Sequence, residues 1–258
     1  HKLFDQLGLR PQVVVYVRPQ VDWLNSAWWQ WGAWSGLTFE TWLEQNIRGV
    51  DWWKLIEPWY EFVGPSNVKL RLLPDDIVVD FFSLLNAAPP ESTRNNTSLP
   101  GTVLRILQRH RELRPNLHAS ALEFVLGDHF VPGVADKTPW VIDPSFAEKA
   151  IRACRPGNER ILAALDESNR EKMRVDRRWW DPAAYAHKSV EQAGKLPPSA
   201  EQTDAVAASS FAVIQRLDSE IRALRDENMQ LRHERCWTRW RVDLTRTWQR
   251  CLTRFLRR

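Results

Sequence analysis

The chain of 258 residues has little cysteine, little methionine and no long apolar run. Three cysteines (Cys154, Cys236, Cys251) stand far apart with no Cys-x-x-Cys pair, which argues against a disulfide framework and suits free thiols in a reducing compartment. No stretch approaches the roughly 20 apolar residues that cross a bilayer as a helix. The N-terminal residues show no charged region followed by an apolar core of the kind that directs secretion. Sixteen prolines and ten glycines are too few for a collagen-like or wholly disordered chain. His110, His118, His129 and His187 lack ligand-like spacing, so no metal site is expected, and Cys154 has no accompanying His/Asn signature of a nucleophile. With 43% hydrophobic and 26% charged residues and a mean hydropathy of −0.46, the chain reads as a globular protein that buries a core.

What is present in excess is tryptophan and, at one end, arginine. Nine of the 15 tryptophans fall between Trp23 and Trp59, a helix-packing layer of which a subset could stack on a flat acceptor. The net charge of +4 and pI near 9.1 arise from residues 232–258, where nine Arg face only Glu234 and Asp243. The other 231 residues hold 27 basic and 30 acidic side chains, so the globular part is mildly acidic and carries no electrostatic reason to bind nucleic acid.

Residues 12–17 (Gln-Val-Val-Val-Tyr-Val) read as a strand buried on both faces, ended by Arg18-Pro19. A helix is expected from about Asp22 with Trp23, Ala27, Trp31 and Trp34 on one face, followed by helices at 38–48 and 51–63 and closure at Gly64-Pro65. Val68, Leu70 and Leu72 alternate with Lys69 and Arg71 in a second strand, and Asp75–Asn86 follows as a helix whose apolar side is Ile77, Phe81, Leu84 and Leu85. Helices are expected at 101–114, 117–126 and 145–167, with an irregular segment at 127–144. This rhythm predicts an α/β fold, an open and mostly parallel sheet flanked by helices, over residues 1–175.

Residues 176–203 read as a linker. Beyond it, Ile214, Leu217, Ile221, Leu224, Asn228 and Leu231 are spaced 3, 4, 3, 4, 3, the a and d seam of a coiled coil over 204–235. Asn at a single a position disfavours higher-order assembly, so the expected partner is a second copy in a parallel homodimer; packing of this helix back on its own domain is the alternative. Residues 236–258 place Trp237, Trp240, Leu244, Trp248, Cys251, Leu252 and Phe255 at helical spacing among arginines, a cationic amphipathic tail suited to an anionic membrane surface, to a partner, or to an apolar patch of the protein itself. The expected location is the cytoplasm, with peripheral contact to a membrane.

One stretch carries chemistry. The strand 13–17 delivers Arg18 at its carboxyl end, and Ser26 lies eight residues later on the following helix. Ligands collect beyond the carboxyl ends of strands in open α/β sheets; an Arg fork there suits phosphate, and a Ser hydroxyl adds a donor. This strand-Arg-x7-Ser arrangement resembles the 3′-phosphate-binding motif of the sulfotransferases that use 3′-phosphoadenosine 5′-phosphosulfate. The order that follows is similar to bacterial and carbohydrate-type members: aromatic helices, Trp53–Gly64, the strand 67–73, the acidic-start helix 75–86, the Asn95-Asn96-Thr97-Ser98-Leu99 segment and the helix 144–165 around Asn158. The resemblance spans about residues 1–170. It implies sulfonyl transfer from that cosubstrate to a hydroxyl of a carbohydrate or similar acceptor, with Arg18 and Ser26 on the 3′-phosphate and no metal.

The family's second phosphate site, a Gly-Thr-Thr type loop with a Lys or Arg that holds the 5′-phosphosulfate, precedes the Arg/Ser strand, and His1–Pro11 contains none. Gly32-x3-Gly36 lies in Trp-rich helical sequence with no Lys after it. On the resemblance, then, the chain is part of a longer enzyme or lacks half of the cosubstrate site. The other expectation is a catalytically inactive scaffold acting through its coiled coil and tail.

Overall fold

Val13–Val17 (β1) and Val68–Leu72 (β2) pair in parallel, with Val13 opposite Val68 and Val17 opposite Leu72. Their β-branched and aliphatic side chains fit a pleated, half-buried surface. The computed structural model describes residues 6–90, 99–114, 138–191 and 199–255 together with positions 4, 116 and 118, and for 232–255 it gives the backbone alone. Among these residues the sheet has only two strands and the rest is mostly helical, an arrangement compatible with α/β. The broad open sheet expected from sequence is therefore not seen. With one neighbouring strand, β1 is fully buried only at Val17.

The crossover between the strands holds three helices: α1 (Gln20–Gln30), α2 (Phe39–Asn46) and α3 (Trp52–Val63). Thr38 caps α2 by accepting from the Thr41 amide, and Gly64, at φ +84°, ends α3 in a conformation that glycine adopts without strain. The expected face of the first helix is corrected. α1 starts at Gln20 and stops at Gln30, and it buries Gln20, Val21, Leu24 and Trp28 at helical spacing. Trp23 is only partly buried, Trp31 is exposed, and Trp34 is buried from a separate 3-10 turn.

After β2, α4 (Ile77–Leu84) is capped by Asp76, which accepts from the Val78 and Val79 amides at 2.9 and 3.0 Å. Of its expected apolar side, Ile77, Phe81 and Leu85 are exposed and Leu84 is partly buried, and the helix meets the sheet through polar groups. Helix α5 (Gly101–Arg109) stops short of the predicted 114, giving way to a 3-10 turn at Arg111–Leu113. The Asn95–Ser98 segment, all of the helix expected at 117–126 except position 118, and the region around His129 lie outside the described residues.

The expected 145–167 helix is α6 (Pro144–Ala164), capped by Asp143, and a further helix, α7 (Glu167–Val175), capped by Asp166, follows it. The supposed linker begins with packed structure. Trp179 is 1% exposed beneath the sheet and Tyr185 is buried beside α6, so the globular body continues to about Glu191. Two clusters of buried side chains hold it together. One joins α1, α2, α5 and α6; the other, around Val17, Ile56, Leu70, Ile161, Met173 and Trp179, lies against the sheet. A single helix, α8 (Ala200–Phe255), then runs without a break through both the predicted coiled-coil and tail segments, about 84 Å at 1.5 Å per residue. No helix among the described residues is long and apolar enough to cross a membrane.

Candidate functional site

Both strands end the same way, in Arg18-Pro19 after β1 and Leu73-Pro74 after β2. The Leu73 amide still donates to the Val17 carbonyl at 2.8 Å, but proline has no N–H with which to extend the ladder, and the two segments part. Beyond the carboxyl ends lies a cavity of about 470 Å³, where parallel α/β sheets place their ligands. Val17, Leu72 and Trp179 line it with apolar surface; Arg18, Asp22, Asp75, Lys172, Asp176 and Arg178 line it with charge.

These charges are not equivalent. Arg178 grips Asp176 through Nε at 2.9 Å and Nη2 at 2.8 Å, and its Nη1 reaches Asp22 at 3.2 Å. Its guanidinium pKa is raised, first by the Asp176 hydrogen bonds. Asp22 is half-buried, and burial lifts its carboxyl above the usual range against the pull of Arg178, Lys188 and Arg18. One guanidinium here serves two carboxylates, so this group keeps a formal charge of −1.

The cations Arg18 and Lys172 and the acidic Asp75 remain. Among the described residues neither cation's side chain has a hydrogen bond or an ion pair. The Arg18 carbonyl accepts from Trp52 Nε1 at 2.8 Å and so fixes the backbone, while the half-buried guanidinium is held below its usual pKa by desolvation, with only the Asp22 charge opposing. An anion entering the cavity could pair with this guanidinium, in a lining whose three cations and three carboxylates balance. Lys172 sits in the last turn of α7 and also lines the cavity.

Of the two sequence-predicted residues, Arg18 lines the cavity and Ser26 does not. Ser26 is exposed, and its hydroxyl donates to the Asp22 carbonyl at 3.1 Å, the back-bond common for Ser inside a helix. The tryptophans are likewise divided. Trp23 packs edge-on against Trp52 at 5.3 Å and tilted against Trp31 at 6.0 Å, yet among the described residues the only tryptophan of the lining is Trp179. Sequence reasoning does not reach Asp176 and Arg178, because it assigns residues 176–203 to a linker, nor Lys172, which no motif singles out; the paired tryptophans at 179 and 180 are the signal that this segment packs. His110 is exposed and bonds Glu112 at 3.1 Å, and the described residues contain no cluster of three metal-ligating side chains.

A buried amide pair aligns the walls. Gln20 Nε2 donates to Asn158 Oδ1 at 2.5 Å, and Asn158 Nδ2 donates to the Trp179 carbonyl at 3.2 Å, tying the start of α1 through α6 to the turn that carries Arg178. Compared with models of protein families, with curated proteins and with solved structures, the chain finds no match in any of the three.

Proposed function

We propose that the cavity beyond β1 and β2 binds the 3′-phosphate of an adenosine bisphosphate, and that the chain is sulfotransferase-like, serving sulfonyl transfer from 3′-phosphoadenosine 5′-phosphosulfate to a hydroxylated acceptor such as a carbohydrate. The observation that carries this reading is the Arg18 guanidinium, half-buried at a strand's carboxyl end without a hydrogen bond or ion pair among the described residues. Lys172 is the second cation for the same phosphate. In the transfer, the acceptor oxygen bonds to sulfur, the bond from sulfur to the 5′-phosphate oxygen breaks, and the hydroxyl proton leaves to a base. The part of the described residues is to hold the 3′-phosphate and thereby orient the donor. The described residues offer no Gly-rich loop for the 5′-phosphosulfate.

Thermal denaturation with and without adenosine 3′,5′-bisphosphate tests the reading. At about a hundred times Kd the ligand is expected to add roughly 2.7 kcal/mol, a rise of several degrees in Tm. Arg18→Ala should remove the rise while leaving the unliganded Tm nearly unchanged, and adenosine 5′-monophosphate should give a smaller rise. A folded chain whose Tm ignores the bisphosphate at millimolar concentration overturns it.

A second reading has its own observation, the exposed apolar seam on α8. On it the α/β body is a scaffold that transfers nothing, and the chain works through its long helix and the cationic tail at an anionic membrane or a partner. Sulfonyl transfer to any hydroxyl acceptor would exclude this scaffold reading, and liposome co-sedimentation unchanged by deleting residues 236–258 would remove the membrane part of it.

A further inference from the structure

Helix α8 is fastened to the body by one side and leaves another side bare. Val213 is 5% exposed and Ser209 is also buried, whereas Ile214, the very next residue, is 60% exposed. From there the seam Ile214, Leu217, Ile221, Leu224, Asn228 and Leu231 runs away from the body; Leu224 is 63% exposed. Leu217 is partly buried and the other five seam positions are exposed, so the described body is not the occupant of the seam as a whole. It holds the helix so that the seam faces outward.

We propose that the occupant is the same seam of a second copy, in a parallel two-stranded coiled coil. The register carries the argument. Counting Ile214 as a, the a positions are Ile214, Ile221 and Asn228 and the d positions are Leu217, Leu224 and Leu231. β-Branched residues at a with Leu at d favour two parallel strands, and Asn at a is best satisfied opposite its own copy, which only the parallel arrangement provides. Charge complementarity selects the same geometry. Glu220 stands at g and Arg225 at the following e, so each strand's Glu220 meets the other's Arg225 in a parallel pair, twice per dimer by symmetry. The pattern repeats with Glu227 at g and Arg232 at the next e. An antiparallel pair would set Glu220 against Glu227 and bury Asn228 against an aliphatic d residue. Among the described residues of the single chain Glu220 is engaged only by Arg216 of its own helix, at 3.1 Å on an exposed surface, a contact easily exchanged.

The seam is short, about 26 Å from Ile214 to Leu231, so the dimer is expected to be reversible and concentration-dependent. It stands apart from the nucleotide reading, since none of its residues touches the cavity. In the dimer both bodies lie at one end of the coil.

Sedimentation equilibrium of the full chain over a concentration series is the test. The wild type should pass from monomer to dimer. Leu224→Glu should remain monomeric with an unchanged circular dichroism spectrum and body Tm, because Leu224 is exposed in the single chain. Glu220→Arg should weaken self-association roughly tenfold, and an equimolar mixture with Arg225→Glu should restore it. Monomer throughout the series for the wild type overturns the proposal, as does a dimer that Leu224→Glu leaves intact. Tighter association of Glu220→Arg overturns the parallel orientation, because only an antiparallel pair gains from that change.

Discussion

The Arg71 guanidinium clasps the Asp80 carboxylate with two parallel hydrogen bonds, Nε to Oδ2 and Nη2 to Oδ1, each 2.7 Å long. Tyr16, opposite Arg71 in the sheet, donates its hydroxyl to the same Oδ2 at 2.7 Å. These bonds fasten α4 to β1 and β2, a task its exposed apolar residues do not perform.

Asp80→Asn should therefore loosen α4. Hydrogen bonding to Arg71 is the main cause holding the Asp80 carboxyl below its ordinary pKa, with Tyr16 assisting. A depressed folded pKa stabilises above the unfolded value of about 4, and that stabilisation is lost as pH falls through the folded value. The expected loss at pH 7 is roughly 1.5–3 kcal/mol, seen as a Tm several degrees lower. Thermal melts from pH 7 to pH 2 should show wild type and variant converging at the acid end. A constant gap would mean that the carboxylate charge is not what holds the helix.

Gly32 has a packing role. A Cβ there would stand 2.3 Å from Trp28 Cε3 and 2.8 Å from two atoms of Trp42, both indoles rigid and buried. Gly32→Ala is expected to cost about 1–3 kcal/mol by overpacking, whereas Gly49→Ala, whose nearest neighbour is a carbonyl oxygen at 3.4 Å, should be far milder. Urea denaturation of the two variants separates them, and equal midpoints would refute the packing role.

The amide pair Gln20–Asn158 predicts a non-additive pair of losses. Replacing either partner with Leu strands a buried amide and should cost about 1–3 kcal/mol, while the double replacement should cost less than the sum. A double-mutant cycle by denaturant unfolding reads the difference directly. Strict additivity would show that the 2.5 Å contact carries no coupling.

What was legible in the sequence was local. Alternation of Val68, Leu70 and Leu72 with charged residues marked β2, and the β-branched run before Arg18 marked β1, because period-two patterning records which face is buried. Arg18 was readable as a strand-terminal cation for the same reason. What failed was tertiary. Residues 177–191 look like a linker because their helical content is only two 3-10 turns, yet Trp179 and Tyr185 are anchored by contacts with distant elements. Lys172 and Arg178 reach the cavity only because α6 and α7 return the chain to the strand ends, and no spacing in the sequence announces that return. Ser26 illustrates the reverse failure: its position suited a clamp, but helix geometry offered its hydroxyl a nearer acceptor at Asp22.

Cys154 provides a prediction about reactivity. It is 1% exposed between α6 and the start of α3, its thiol donates to the Val50 carbonyl at 3.7 Å, and its pKa is pushed up to about 12, first by burial and then by the nearby Asp51 charge. The thiolate is the nucleophile, so at pH 8 the folded protein should leave Cys154 unalkylated by iodoacetamide. Unfolding in guanidinium chloride removes both causes and should return it to ordinary thiol reactivity. Peptide mapping by mass spectrometry follows Cys154 separately from Cys236 and Cys251, so labelling at those two does not obscure the result. If Cys154 in the native protein is labelled as fast as in the denatured chain, the α3–α6 contact opens on the timescale of alkylation and the thiol is not the inert core residue its burial implies.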